Sequence, residues 1–279
     1  MVAERVHRGR SADGTEIAGR VHGQGPPVVL LHGRLEDGDL CWRALLPHLV
    51  ERFTCFCPST RGRGMSGDNT DHSPARLGED VVAFVESIDE PVRVFGESRG
   101  AVLALGVASQ STAVTAACVY QPTVADVMGE EDLARVGEMA SAVGAALEHG
   151  RPTQGLRRIL EVLGNQDELV AVSGSDYLDA ASQYLPLVMQ EFQQAAESTG
   201  PAPTDASELA RIVVLVLVLY GSQTALGGWI TRSARHVAEH VATAQLREVD
   251  GIGHFGPVVG EPAIADEITR FFTARPEPA

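Results

Sequence analysis

Apolar and polar positions along the chain switch repeatedly between a period of two and a period of three to four. Two β-branched stretches, 4–10 and 15–22, flank Ala12-Asp13-Gly14, which is a hairpin signal. The continuous apolar run 28–31 stops abruptly at His32-Gly33, as a strand buried on both faces does. Further runs predict strands at 53–57, 92–95, 114–120, 212–220 and 246–249. Helical spacing predicts helices at 40–51, 77–88, 99–109, around 235–242 and at 262–273. The block 126–204 is rich in Ala, Glu and Gln, with helical periods broken by Gly and Pro, and is read as a helical cap. It interrupts a core formed by 1–125 and 205–279. Strands alternating with helices imply an α/β fold with a mostly parallel central sheet and helices on both faces.

Composition narrows the class. Apolar residues make up 44% of the 279 and charged residues 21%, the balance of a folded globular chain. A net charge of −15 argues against nucleic acid and anionic membrane surfaces as partners. That leaves a small-molecule substrate, with a homodimer as an open option. Residues 1–20 are charged throughout and lack the apolar core of a secretory signal, so a cytoplasmic protein is expected. The longest apolar run, 212–220, is far short of a bilayer span. Cys41, Cys55, Cys57 and Cys118 are too scattered for a disulfide framework or a zinc site and read as reduced core thiols. No metal is expected.

The chemistry centres on Gly96-Glu97-Ser98-Arg99-Gly100, which follows an apolar strand and opens a helix of small residues. A serine nucleophile lifted out of a sheet needs a strained turn, and glycines two residues either side relieve the collisions around it. The helix N-terminus then aims free N–H groups at the place where an oxyanion forms. The amide of Arg99, just after the serine, is one candidate donor. The other is the amide of Arg34, in the loop behind His32-Gly33, with His32 itself read as a buried structural residue. Of the nine histidines, His254 alone lies in a glycine-flanked loop between the last strand and the last helix, where a general base can reach Ser98.

Taken together, Leu31-His32-Gly33-Arg34, Arg61-Gly62-Arg63-Gly64-Met65-Ser66, 96–100 and Gly253-His254-Phe255 with Glu261-Pro262 resemble the α/β-hydrolase superfamily. The likeness is to its small capped esterase, lactonase and haloperoxidase-like members. It implies the α/β-hydrolase fold, Ser98 as nucleophile, His254 as base, backbone N–H groups of Arg34 and Arg99 as the oxyanion hole, and no cofactor. The expected substrate is a mid-sized apolar ester, thioester or lactone.

One part of the pattern is missing. The acid that orients the histidine belongs after the strand that follows the cap, where Gly221-Ser222-Gln223-Thr224 carries no carboxylate. The alternative position, one strand earlier, holds Tyr120-Gln121-Pro122. Three readings follow: Asp126 swings back, Gln121 or Thr224 orients His254 by a neutral hydrogen bond, or hydrolysis has been lost. The last includes a non-hydrolytic cyclase or lyase and a ligand-binding protein. Asp250 is read as a turn residue. Glu97 and Arg99 are read as a compensating surface pair, with the alternative that Arg34 or Arg99 holds an anionic group of the substrate.

Overall fold

A computed structural model, which describes residues 5–173 and 176–274, is organised around one eight-stranded sheet. Its strands are β1 (Arg5–Arg10), β2 (Glu16–Gly23), β3 (Pro27–Leu31), β4 (Thr54–Pro58), β5 (Val92–Glu97), β6 (Val114–Tyr120), β7 (Leu215–Gly221) and β8 (Ala244–Val249). They lie in the order β1-β2-β4-β3-β5-β6-β7-β8. The hairpin β1–β2 pairs with Arg10 opposite Glu16, β2 is antiparallel to β4, and every other pairing is parallel. Residue 4 of the expected hairpin and the Pro-rich tail 275–279 lie outside the described residues.

The helices before β6 are α1 (Gly38–Trp42), α2 (Leu46–Leu49), α3 (Pro74–Glu86) and α4 (Arg99–Gln110). Between β6 and β7 come α5 (Glu130–Glu148), α6 (Pro152–Leu163), α7 (Gln166–Ser173), α8 (Tyr177–Ser182), α9 (Leu185–Glu197) and α10 (Ala206–Leu209). The last are α11 (Gly227–His240), α12 (Gly256–Val259) and α13 (Pro262–Thr273). The two-residue period of the parallel strands sorts their side chains into two cores. Val28, Leu30, Phe95 and Leu217 pack with Trp42, Leu45, Ile268 and Phe272 on the α1, α2 and α13 face. Val29, Leu31, Val94 and Val218 pack with Leu77, Phe84, Leu105 and Val237 on the α3, α4 and α11 face. The mostly parallel sheet covered on both faces is therefore present.

Four elements differ from the sequence expectation, each for a local reason. The helix expected over 40–51 is split into α1 and α2, because Pro47 has no N–H to continue the ladder and fits only the first turn of a new helix. Helix α3 starts at Pro74 because the Ser73 side chain caps it, accepting from the Arg76 N–H. Strand β7 starts at Leu215: the Ile212 N–H donates to Leu209 O at 3.1 Å in a turn, and Val213 is 82% exposed. Helix α11 begins at Gly227, well before 235, with Trp229, Ile230, Ala234 and Val237 on its buried side. Among the described residues, no helix is long and apolar enough to cross a membrane.

Candidate active site

Ser98 sits between β5 and α4 with φ 54° and ψ −116°. A residue with a side chain pays on the order of 1–3 kcal/mol for such a backbone, so it persists only where its surroundings hold it. Here the Ser98 N–H donates to Tyr120 O at 2.9 Å, tying the turn to the end of β6. A Cβ on Gly96 would lie 2.1 Å from Gly100 O, and one on Gly100 would lie 1.9 Å from Leu31 O. The two glycines thus let the start of α4 press against the ends of β3 and β5 with the serine at the apex.

His254 is buried, with Nδ1 2.7 Å from Gln121 Oε1. Gln121 directly follows β6 in a left-handed conformation, φ 47°, and its N–H donates to Leu219 O at 2.8 Å. Its Nε2 donates to Gly253 O at 3.3 Å, and Gly253 O also accepts from the Tyr120 hydroxyl. A carbonyl only accepts, so the amide nitrogen must face Gly253 and its oxygen must face His254. His254 Nδ1 therefore carries the proton, leaving Nε2 with a lone pair. Burial, with no facing carboxylate to offset it, lowers the imidazole to about 4.

The other orienting candidates lie elsewhere. Asp126 is exposed in a 3₁₀ turn (Ala125–Val127), Thr224 Oγ1 is buried with no partner, and Asp250 accepts from Ser222 Oγ at 2.9 Å in an exposed turn. His32 is a buried brace, with Nε2 accepting from the Thr60 N–H at 3.0 Å and Nδ1 2.8 Å from Gly33 O.

Glu97 and Arg99 correct an expectation: they are buried, not a surface pair. Arg99 bonds Glu191 Oε1 at 2.9 Å and Gly33 O at 2.8 Å. Glu97 is pushed well up by burial and by the neighbouring carboxyl of Glu36, while the Gly33 N–H supports its charged form. Glu36 is also raised by burial and accepts from the Tyr177 hydroxyl. Glu36, Cys41 and Glu97 are the one group among the described residues whose possible ligand atoms lie within 4.8 Å of one another. Burial keeps the Cys41 thiol protonated and both carboxyls toward their acids, which is the wrong form for holding a cation.

Ser98, His254, Arg34 and Arg99 line one cavity of about 110 Å³. Its polar end also has Glu36 and Glu97. Apart from Thr123 the rest of the wall is apolar, with Met139, Ile159, Val188 and Phe192 from the helices between β6 and β7, and Trp229 and Phe255 from the core.

Three contributors have no local signal in the sequence. Glu191, fully buried on α9, bonds Arg34 at 3.1 Å, Arg99 at 2.9 Å and Arg63. Tyr177 on α8 holds Glu36. Glu168 on α7 takes the backbone N–H groups of His254 and Phe255, and burial raises its carboxyl to about 7. A Cβ on Gly253 would lie 2.3 Å from Glu168 Oε2, which explains the glycine before the histidine.

Comparison with known proteins bears on the family and the fold. Residues 28–266 match the model of the alpha/beta hydrolase family. An alpha/beta hydrolase from Sphaerobacter thermophilus superposes with a TM-score of 0.71 at 27% identity, over 96% of this chain and 100% of that one. An esterase from Rhodococcus shares the fold with a TM-score of 0.73 at 23% identity, over 96% of this chain and 98% of its own. An uncharacterized protein of Mycobacterium tuberculosis is 31% identical over 103 residues, which is 36% of this chain and 30% of that protein. The likeness thus spans under a third of that curated relative's length.

Proposed function

This chain belongs to the alpha/beta hydrolase family, and on that premise we propose that it cleaves a carboxylic ester, thioester or lactone through Ser98 and His254. The observation that carries the reading is that a strained, glycine-flanked Ser98 and a His254 engaged at Nδ1 by Gln121 line the same cavity. Ser98 Oγ attacks the carbonyl carbon while His254 Nε2 takes the hydroxyl proton. Backbone N–H groups of Arg34 and Arg99 receive the oxyanion. His254 then returns the proton to the leaving alcohol or thiol, and the same base activates water to release the acid and restore Ser98. The apolar wall suits a mid-sized, mostly apolar substrate.

Gln121 does half the work of a carboxylate. It selects the productive tautomer, and it supplies no negative charge for the imidazolium that forms during reaction. A slow or narrowly specific hydrolase follows from that difference. The same neutral partner also favours a second reading, in which the cavity binds a ligand without hydrolysing it. Turnover of a panel of p-nitrophenyl esters, a thioester and small lactones separates the two. The wild type is expected to hydrolyse at least one member, and Ser98→Ala and His254→Ala each to fall to background. Tight ligand binding without turnover by any of them would replace the first reading with the second.

A further inference from the structure

We propose that the polar end of the cavity binds a carboxylate carried by the substrate itself, with Arg34 and Arg99 as the receiving groups, so that the substrate is the ester of a half-acid. This rests on the hydrolase reading for its reaction and stands on its own for binding.

Charge balance is the first argument. Arg34 and Arg63 arrive from two loops and Arg99 from the first turn of α4, and Glu191 is the one carboxylate that all three share. Docking α9 onto the sheet would need one arginine; a single carboxylate leaves two guanidinium charges uncompensated in a largely dehydrated wall. Glu36 and Glu97 offset them only in part: burial raises both, Glu36 further opposes ionisation of Glu97, and Arg63 and Arg99 pull Glu36 back only partly toward its charged form. If that pair shares one proton, the wall still holds a positive charge in excess.

Unfilled donors are the second argument. Arg99 is buried and lines the cavity, and its Nε–H has no partner; Arg63 Nε is in the same condition. Buried N–H groups are rarely left empty, because each costs about 1–3 kcal/mol. Arg99 is also lowered to about 9, chiefly by burial and further by Arg63 and Arg34, and the pull of Glu191 and Glu36 does not make up the difference. An anion would reverse that pressure. Arg34 has the access that a ligand needs: its side chain is 24% exposed, and its guanidinium lies 4.4 Å above the ring of Phe192, which lines the same cavity. A planar guanidinium stacked on an aromatic ring is suited to receive a carboxylate.

The test uses monomethyl and dimethyl esters of succinic, glutaric and adipic acids. In the wild type, kcat/KM for at least one half-ester should exceed that of its dimethyl ester by tenfold or more. Arg34→Gln should lower that ratio at least tenfold. Because a methyl ester can be too slow to follow, binding of the same pairs to Ser98→Ala is measured by calorimetry. There the half-ester should bind at least tenfold tighter than the diester, and Arg34→Gln on that background should remove the difference. Diesters preferred in both measurements would overturn the anion site and leave the hydrolase reading standing. Tighter half-ester binding with no turnover would do the reverse.

Discussion

His254 Nδ1 and Gln121 Oε1 are joined by a hydrogen bond of 2.7 Å between neutral groups, where a serine hydrolase ordinarily has a carboxylate. The bond survives as an amide contact because Gln121 must also donate to Gly253 O, which a carboxylate could not do. Gln121→Leu keeps the volume and removes the acceptor. It should lower kcat by roughly 10²–10³ with little change in KM, since losing the tautomer control of an orienting residue costs up to about 10⁴. Steady-state kinetics on the best ester from the panel checks this.

The pH profile carries the signature of the neutral partner. His254 is active when deprotonated, and burial sets its folded value at about 4 against 6.5 in the open chain. Activity should therefore hold to mildly acidic pH and fall with a midpoint near 4. The stability contribution has the same sign, being present above 6.5 and lost as pH falls through about 4. Gln121→Glu should move the acid limb upward by a pH unit or more, because a carboxylate beside the imidazole favours the imidazolium. A wild-type midpoint near 6–7 would mean that His254 does not titrate alone.

Glu168 reaches from α7 to the backbone of the histidine loop, and its carboxyl is raised by burial from 4.5 to about 7. A raised carboxyl contributes stability that is complete below 4.5 and is lost as pH rises through about 7. Melting curves at pH 5.5 and 8.5 should show a larger fall in Tm for the wild type than for Glu168→Gln. The same variant loosens the loop and should lower kcat about tenfold.

The elbow tolerates no side chain at Gly100. The added Cβ of Gly100→Ala meets Leu31 backbone atoms, which have no freedom to retreat. The variant should lose about 3 kcal/mol or more and melt at least about 5 °C lower. Gly78→Ala, on α3 with nothing within 4 Å of the added methyl, should instead gain about 0.5–1 kcal/mol. Thermal denaturation of the pair separates a packing need from a general effect of replacing glycine.

What could be read from the sequence divides by range. The elbow, the oxyanion loop and the histidine loop are legible because each is a run of adjacent residues whose glycines and strand context act locally. Neutral residues at 121 and 224 are visible as a gap in the pattern. Choosing between them depends on the left-handed turn at Gln121 that swings its amide to His254, and no local rule predicts it. Glu191 is out of reach for a stronger reason. Its partner Arg34 is 157 residues away, and the α9 sequence reads as an ordinary amphipathic helix until the fold brings Arg34, Arg63 and Arg99 against it. Glu97 and Arg99 are illegible for the same cause, since adjacent opposite charges look self-compensating until burial sends one to Gly33 and Cys41 and the other to Glu191.

The central claim is that His254, held by Gln121, activates Ser98. Its most direct test is the rate of labelling by a fluorophosphonate between pH 3.5 and 8, with the adduct mapped by peptide mass spectrometry. The account predicts one adduct, on Ser98, forming at a rate that rises with a midpoint near pH 4 and is abolished in His254→Ala. No adduct across that range, or an adduct on Ser98 formed equally fast without His254, would contradict it.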